Sequence, residues 1–550
     1  MINACLVVGL AAVAALRADL PSLSDTNYPV PGDAIFVSTT GSDSHSGNLD
    51  APLRTIARAI EQADDGATVV IRQGVYRETI GGINKRLTLQ PYPHETVWIK
   101  GSLEISNWLL DGDRWKHDYW PQPLKQNSYD SAEITTRNSL AGSPDMVFRD
   151  GRPLTQVAQL SALDSSAFYV DNDTHVVYVI EDPGRATLEV AKYGYALELY
   201  RGASGSIIRG LGFAHFANVK YEGAVRVLDG ASDITLESNT FADNAGSSLL
   251  IYDSPRTTIR SNTFIRAGYQ GLSTWKSHEL LLEQNRFDSN NSERFEIEGA
   301  LAGAAGAKIF ASNDVIARSN EFIANHCTGL WLDGSCYACK VIRNRFDKNE
   351  LAGLHIEESA KVMVVENHAA DNSGAGIYVS NSSDVRIYNN QLIDNAPNMS
   401  VQDDSRVNTN TDELKKGISY ITAHVQFVNN VLAVSKAAGP MLWARDYNST
   451  PQRSAREMID ACDYNCWQFP KGSNVTLIEW WDKSTRVPFS DLKSFRTATN
   501  REAHGFESTL DADSPVSPKV SDEILPADIR RELGLQTSAA MQPDEPARSN

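Results

Sequence analysis

Positive charge is scarce. The 550-residue chain carries 51 Lys and Arg against 69 Asp and Glu, a formal net charge of −18, and that balance repels phosphate backbones and anionic lipid surfaces. No nucleic-acid partner is expected; a soluble glycan or a divalent cation suits the excess of carboxylates better. Long apolar runs are also missing. The stretch from Ala4 to Leu16 is too short to span a bilayer core, so no stable membrane insertion is expected. It ends in Arg17-Ala18, like the apolar part and small-residue cleavage site of a secretory signal, so residues 1–18 are expected to direct export to an extracellular or periplasmic space. Cysteine is sparse. Beyond Cys5 there are Cys327, Cys336, Cys339, Cys462 and Cys466, an odd set that in an oxidising compartment suggests two disulfides and one free thiol. A zinc site from Cys336-x-x-Cys339 and Cys462-x-x-x-Cys466 is the less favoured alternative.

Amphipathic helices of useful length are absent from the middle of the chain, and a repeat stands in their place. Asn followed two places later by Phe or another apolar residue recurs at Asn239, Asn262, Asn285, Asn320, Asn344, Asn367, Asn390 and Asn430, with spacings of 23, 23, 35, 24, 23, 23 and 40. Each unit holds short β-rich stretches such as "DITLESNTF" and "DVRIYNN". Units this short cannot close a core alone, so they must stack, each coil pairing with the next at about 4.8 Å. The pattern predicts an all-β parallel β-helix solenoid. The recurring Asn is read as architecture, its amide satisfying turn backbone in a ladder.

The rest of the chain divides around the solenoid. Residues 33–137 are read as the N-terminal cap and first coils, with Leu53, Ile56, Ala57 and Ile60 on one face of a capping helix that plugs the open end of the stack. Residues 138–200 read as a β-hairpin insertion, 201–434 as the repeats, 435–510 as an irregular C-terminal cap, and 511–550, rich in Pro, Ser and Asp, as a disordered tail. Trp108, Trp115, Tyr119 and Trp120 form an aromatic cluster best read as packing.

The opening "GSDSHSGNLDAPLRTIARAI" together with the Asn-x-Phe repeats resembles the right-handed parallel β-helix proteins of the pectate-lyase-like superfamily, over roughly residues 33–434. The resemblance implies a right-handed coil and action on polysaccharide. Within it "GAKIF", "GLWLD" and "GLHIEES" are similar to a pattern in uncharacterised members, at positions Lys308, Trp331, Asp333 and Glu357. Lyases of this superfamily that use Lys-Ser on one coil and Arg on the next are matched only in part: Lys276-Ser277 is present, but the Arg position is Ala311.

Gly271, Gly329, Gly353 and Gly376, each nine residues after a repeat Asn, start one strand per coil. Leu272, Ile309, Leu332, Ile356 and Val379 then face inward. Outward positions fall into two columns, one of Ser273, Lys308, Trp331, His355 and Tyr378, the other of Trp275, Phe310, Asp333, Glu357 and Ser380. Lys308, Asp333, Glu357 and His355 are the catalytic candidates; Trp331, Tyr378, Trp275 and Lys276 are the candidates for sugar binding. Asp333 beside Glu357 should repel unless a cation, a proton or a substrate relieves the pair.

In a lyase or epimerase of uronate, the favoured reading, Lys308 would be the base, Asp333 and Glu357 would hold calcium, and His355 or Tyr378 would be the acid. Lys276 is a second candidate base. In a hydrolase Asp333 and Glu357 would be the paired carboxylates; a non-catalytic glycan-binding scaffold is the third alternative. No organic cofactor is expected, and the protein is expected to act as a monomer.

Overall fold

The computed structural model describes residues 19–118, 138–295, 303–435, 439–448, 452–510 and 525–532. The signal-like residues 1–18, together with Tyr119 and Trp120 of the aromatic cluster, lie outside them. Three sheets of 13 strands each wind round a single core. Nearly all their pairs are parallel, as in Phe287 beside Phe322 and Phe322 beside Phe346, and each coil contributes one short strand to every sheet. This is an all-β right-handed parallel β-helix.

The repeat Asn holds neighbouring coils in register. Asn344 Nδ2 donates to Ala317 O of the previous coil at 2.9 Å and to Asn367 Oδ1 of the next at 3.0 Å, while its own Oδ1 accepts from the Asn320 backbone N–H at 2.9 Å. The same exchange repeats from Asn239 to Asn465. Two residues beyond each early Asn, Phe241, Phe264, Phe287, Phe322 and Phe346 stack inside the coil, continued by Phe213 of the preceding coil, with ring centroids 4.7–5.2 Å apart. A second Asn ladder, five residues on, runs through Asn290, Asn325, Asn349, Asn372 and Asn395. A hydroxyl ladder at the third corner joins Ser254 to Ser277 and Ser277 to Ser312. Cys336 occupies the next rung, its Sγ 3.3 Å from Ile309 O.

All five described cysteines are free and buried, so the expected disulfides do not form. Cys336 serves as a small ladder residue, and Cys462 donates to Glu502 at 3.2 Å.

The helix at the open end is shorter than expected, Ile56–Gln62, with Thr55 as N-cap; Leu53 precedes it in a bridge to Val37. Ile56, Ala59 and Ile60 are buried against the first coil, and Glu78 accepts from the N–H groups of Ile56 and Ala57 at 3.0 and 3.1 Å. The inserted module begins earlier than residue 138, because Ser102–Glu104 and Arg114–Asp118 already belong to its two sheets through antiparallel pairs. Trp108 packs there against Phe168, Val177 and Val190.

The solenoid also continues past residue 434. Leu442–Asp446, Ile459–Asp463, Cys466–Pro470 and Ile478–Asp482 extend all three sheets. Residues 525–532, expected as disordered tail, hold the helix Ala527–Glu532. Leu525 and Ile529 are buried against Ile342, Met363 and Tyr388, and Asp528 pairs with Arg386 at 2.5 Å. Among the described residues no helix is long and apolar enough to cross a membrane.

The ladder ends on Glu502, which accepts from Asn465 Nδ2 at 2.6 Å. Burial pushes its carboxyl up to about 7, against the pull of Asn465 and Cys462. The folded value exceeds the unfolded one of about 4.3, so the folded chain holds the proton more tightly. This contribution to stability is full below the unfolded value and is lost as pH rises through about 7. Urea unfolding across that window is expected to show a fall of roughly 3 kcal/mol from this group, flattened in Glu502→Gln; identical pH slopes for the two chains would contradict it. Asn344→Ala orphans the Asn320 N–H and the Ala317 carbonyl, each costing about 1–3 kcal/mol. Denaturant midpoints should place its loss at about 2–5 kcal/mol, and a loss under about 0.5 kcal/mol would remove the ladder from the account.

Candidate functional site

The glycine at the head of each site strand lets coils approach closely: a Cβ at Gly329 would lie 2.5 Å from Gly353 O, and one at Gly353 would lie 2.8 Å from Gly376 O. From that start the strands Leu272–Trp275, Ala305–Phe310, Thr328–Asp333, Leu354–Glu357 and Ile377–Ser380 run in parallel. Their register pairs Ser273 with Lys308, Lys308 with Trp331, Trp331 with His355 and His355 with Tyr378. The second column pairs Tyr252 with Trp275, Trp275 with Phe310, Phe310 with Asp333 and Glu357 with Ser380. Inward residues of these strands, such as Leu332 and Ile356, are fully buried.

The outward columns are far from uniformly solvated. Lys308 Nζ forms a 2.7 Å ion pair with Asp333 Oδ2 and lies 3.7 Å from the centroid of the Trp331 ring. On the other side of that ring His355 stacks at 5.0 Å, and Tyr378 stacks on His355 at 4.2 Å. Trp331 Nε1 donates to Glu357 Oε2 at 2.9 Å, and Arg406 holds Glu357 Oε1 at 2.5 Å. Arg406 arrives from the insertion after the strand Met399–Asp403, where Asp404 and Asn381 also fix it. The repulsion expected between Asp333 and Glu357 is thus relieved by the chain's own cations.

These contacts reassign several residues. Trp331 is only 9 % exposed, with neighbours on both faces, so it is not a sugar platform. His355 donates to or accepts from Ser380 Oγ at 2.9 Å, and burial pushes its pKa down to about 3 despite the opposing effect of Asp333. It is neutral and enclosed, which removes it as a general acid. Tyr378 donates to Gln402 Oε1 at 2.9 Å and is pushed up to about 12, first by burial and then by Glu357; its proton is held tightly and committed to Gln402, and its ring is covered by His355. Glu357 is committed to Trp331 and Arg406, leaving Asp333 without a second free carboxylate.

Lys308, ion-paired as an ammonium, is not the neutral base first expected. Lys276 is exposed in a left-handed turn past Trp275, with φ of 50°. Its neighbour Ser277 belongs to the hydroxyl ladder and not to any reaction.

Calcium, expected at Asp333 and Glu357 in the lyase scheme, does not fit them. The ion takes six to eight oxygen ligands, whereas these carboxylates are occupied by Lys308, Trp331 and Arg406. No group of three or more His, Cys, Asp or Glu side chains suited to a metal occurs among the described residues.

What remains open is a ladder of rings. Tyr252 and Trp275 are 42 % and 44 % exposed, and Trp275 stacks on Phe310 with centroids 4.4 Å apart. Register carries this ladder straight onto Asp333, whose side chain keeps 11 % of its surface and that of Lys308 13 %. One wall is set by Gly303, tied by its carbonyl to Gln270 at 2.7 Å; a Cβ there would lie 3.3 Å from Lys308 Nζ. The other is the Arg406 insertion, whose Glu413 accepts from Ser335 at 2.6 Å. Flat apolar faces leading to a largely buried cation and carboxylate can stack on sugar rings, and the small exposed part of the pair can bind their polar substituents. Phe310 as a platform and Arg406 as a partner escaped the sequence reading. Phe310 lay in its column, but Arg406 enters from outside the repeat, where no periodicity marks it.

Comparison with known proteins agrees with this fold. A family described as Right handed beta helix region matches residues 223–392 and 302–453, and one described as Protein of unknown function (DUF1565) matches residues 39–83. Uncharacterized protein YwoF of Bacillus subtilis is 43% identical over 75 residues, 13% of this chain and 16% of the relative. Pectate lyase PEL9 of Emericella nidulans is 38% identical over 74 residues, 12% of this chain and 18% of the relative. The chain therefore spans less than a fifth of the length of either. A solved structure described as XylC in complex with xylose superposes with a TM-score of 0.62 at 16% identity, covering 89% of this chain and 88% of that one. With its coils, ladders and register in view, the chain is a right-handed parallel β-helix protein with a pectate-lyase-like fold.

Proposed function

We propose that this protein is carbohydrate-active and abstracts a proton beside the carboxylate of a uronate-containing polysaccharide. The observation that carries the reading is the exposed ladder of Tyr252, Trp275 and Phe310 ending on the Lys308–Asp333 ion pair. Sugar rings stack along the ladder, and a uronate carboxylate competes with Asp333 for Lys308. Once paired with the ammonium, the uronate loses part of its charge, which acidifies the adjacent C–H. Asp333, released from its cation beside that carbon, takes the proton. The electron pair left on carbon then either expels the neighbouring glycosidic oxygen, which departs with the proton returned by Asp333 and leaves an unsaturated end, or is reprotonated by water from the opposite face, giving the epimer.

Lys308 is thus a clamp, and it supplies the neutralisation that calcium would supply elsewhere. The hydrolase reading is weaker, because Glu357 is held by Trp331 and Arg406 and cannot partner Asp333. Relatives that include a pectate lyase support polysaccharide as the substrate class. Secretion belongs to the same proposal and rests on the apolar segment at residues 4–16.

Incubation with pectate, alginate, glycosaminoglycans and neutral glycans separates the alternatives. Unsaturated ends seen by ultraviolet absorbance, or deuterium uptake from heavy water, are expected with an acidic glycan, and chelator should leave the rate unchanged. Reducing ends alone would favour hydrolysis; binding without turnover would favour a scaffold. Asp333→Asn is expected to lower turnover by about 10²–10⁴-fold, the usual range for a general base, and wild-type turnover in that variant would overturn the assignment. Trp275→Ala should weaken glycan affinity by about tenfold, in line with about 0.5–1.5 kcal/mol for a stacked ring, as read by calorimetry; unchanged affinity would remove the platform.

A further inference from the structure

The outward columns do not end at Tyr378. Ser400 pairs with Trp443 and Gln402 with Arg445 on the next coil, and Trp443 pairs with Glu479 beyond it. Arg445 lies between two rings, its guanidinium carbon 3.9 Å from the centroid of Trp481 and 4.1 Å from that of Tyr447. It makes no salt bridge among the described residues, although Glu479 stands on the same face. Glu479 is instead taken by Arg486 through both carboxylate oxygens.

Three donors in this patch, Trp443 Nε1, Arg445 Nε and Trp481 Nε1, are buried and have no hydrogen-bond partner. Unsatisfied buried donors cost about 1–3 kcal/mol each. A cluster of them around a guanidinium clamped by rings is a place short of acceptors. Tyr447 is 41 % exposed, so the patch reaches solvent.

We infer that Arg445, with Trp443, Tyr447 and Trp481, forms a second, distal subsite that binds a carboxylate-bearing sugar unit of the same polysaccharide chain. Planar guanidinium recognises a carboxylate through paired N–H donors, the flanking rings offer stacking surface, and the indole N–H groups supply further donors. Register separates Arg445 from Asp333 by four coil steps, about 19 Å at about 4.8 Å per coil. The subsite therefore selects for chain length as well as charge: a glycan must be long enough to reach it from the Trp275–Phe310 end. The inference rests on the proposed uronate reading for the direction of the chain, while its own evidence is a guanidinium without a carboxylate partner among the described residues and the unpartnered donors Trp443 Nε1, Arg445 Nε and Trp481 Nε1.

Calorimetry with oligogalacturonates and oligomannuronates of about three and about seven units, and neutral glucan oligomers of the same lengths, tests it on the full chain. Arg445→Ala is expected to weaken the long acidic oligomers at least tenfold and leave the short ones unchanged, the latter also reporting that the variant is folded. Arg445→Lys, which keeps charge but loses the planar fork, should recover only part of the loss. Long acidic oligomers that bind Arg445→Ala as tightly as the wild type would overturn the inference, as would an equal loss with neutral oligomers. Trp275→Ala run in parallel keeps the two proposals apart. A loss confined to Arg445→Ala sinks the central site and leaves the distal one; a loss confined to Trp275→Ala does the reverse.

Discussion

Every feature of this molecule depends on the amide of one asparagine per coil reaching the backbone of its neighbours. From Asn239 to Asn465 each side chain gives its N–H to the coil before and takes one from it, as Asn344 does between Ala317 and Asn320. The exchange satisfies backbone groups that a sharp corner would otherwise bury unpaired, and it fixes register. A slip of one residue would send every inward side chain to the solvent face. With the ladder locked, residues 23 or 24 positions apart become neighbours about 4.8 Å apart. Lys308, Trp331 and His355 therefore meet although no local sequence motif joins them.

That rigidity shapes the chemistry. Side chains on a flat ladder cannot turn far from the normal to the sheet, so the centre is assembled by stacking: ammonium over indole, indole over imidazole, imidazole over phenol. The buried stack serves as a support. It holds Trp331 Nε1 against Glu357 and keeps His355 neutral, leaving Lys308 and Asp333 as the pair with remaining access. In a chain of net charge −18, Lys308 and Arg406 are each neutralised by carboxylate partners, so an anionic glycan must exchange with Asp333 at Lys308, and Arg445 is the cation of this face without a carboxylate partner among the described residues.

Much of this was legible in the sequence because a β-helix writes its geometry as a period. The Asn spacings placed the coils, the glycines nine residues on placed the site strand, and alternation separated Leu332 and Ile356 from Trp331 and Asp333. What the period could not carry was whatever crosses it. Arg406 descends from the long insertion onto Glu357, turning an expected solvent-facing acid into a buried ion pair. The coil holding Arg445 follows a 40-residue gap in the Asn series, and although "MSVQD" and "LWARD" align across it, fading repeats past residue 434 suggested an irregular cap. Free cysteines have the same origin: Cys336 fills a serine rung, a role that counting cysteines cannot reveal.

The central claim is that a glycan lies along the outward columns of the site sheet, with a carboxylate on Lys308. A co-crystal structure of the Asp333→Asn protein with a long oligouronate tests it most directly. The account expects sugar rings over Trp275 and Phe310 and a carboxylate within hydrogen-bond distance of Lys308 Nζ. An oligomer bound on either of the other two sheets, or one that leaves Lys308 untouched, would contradict it.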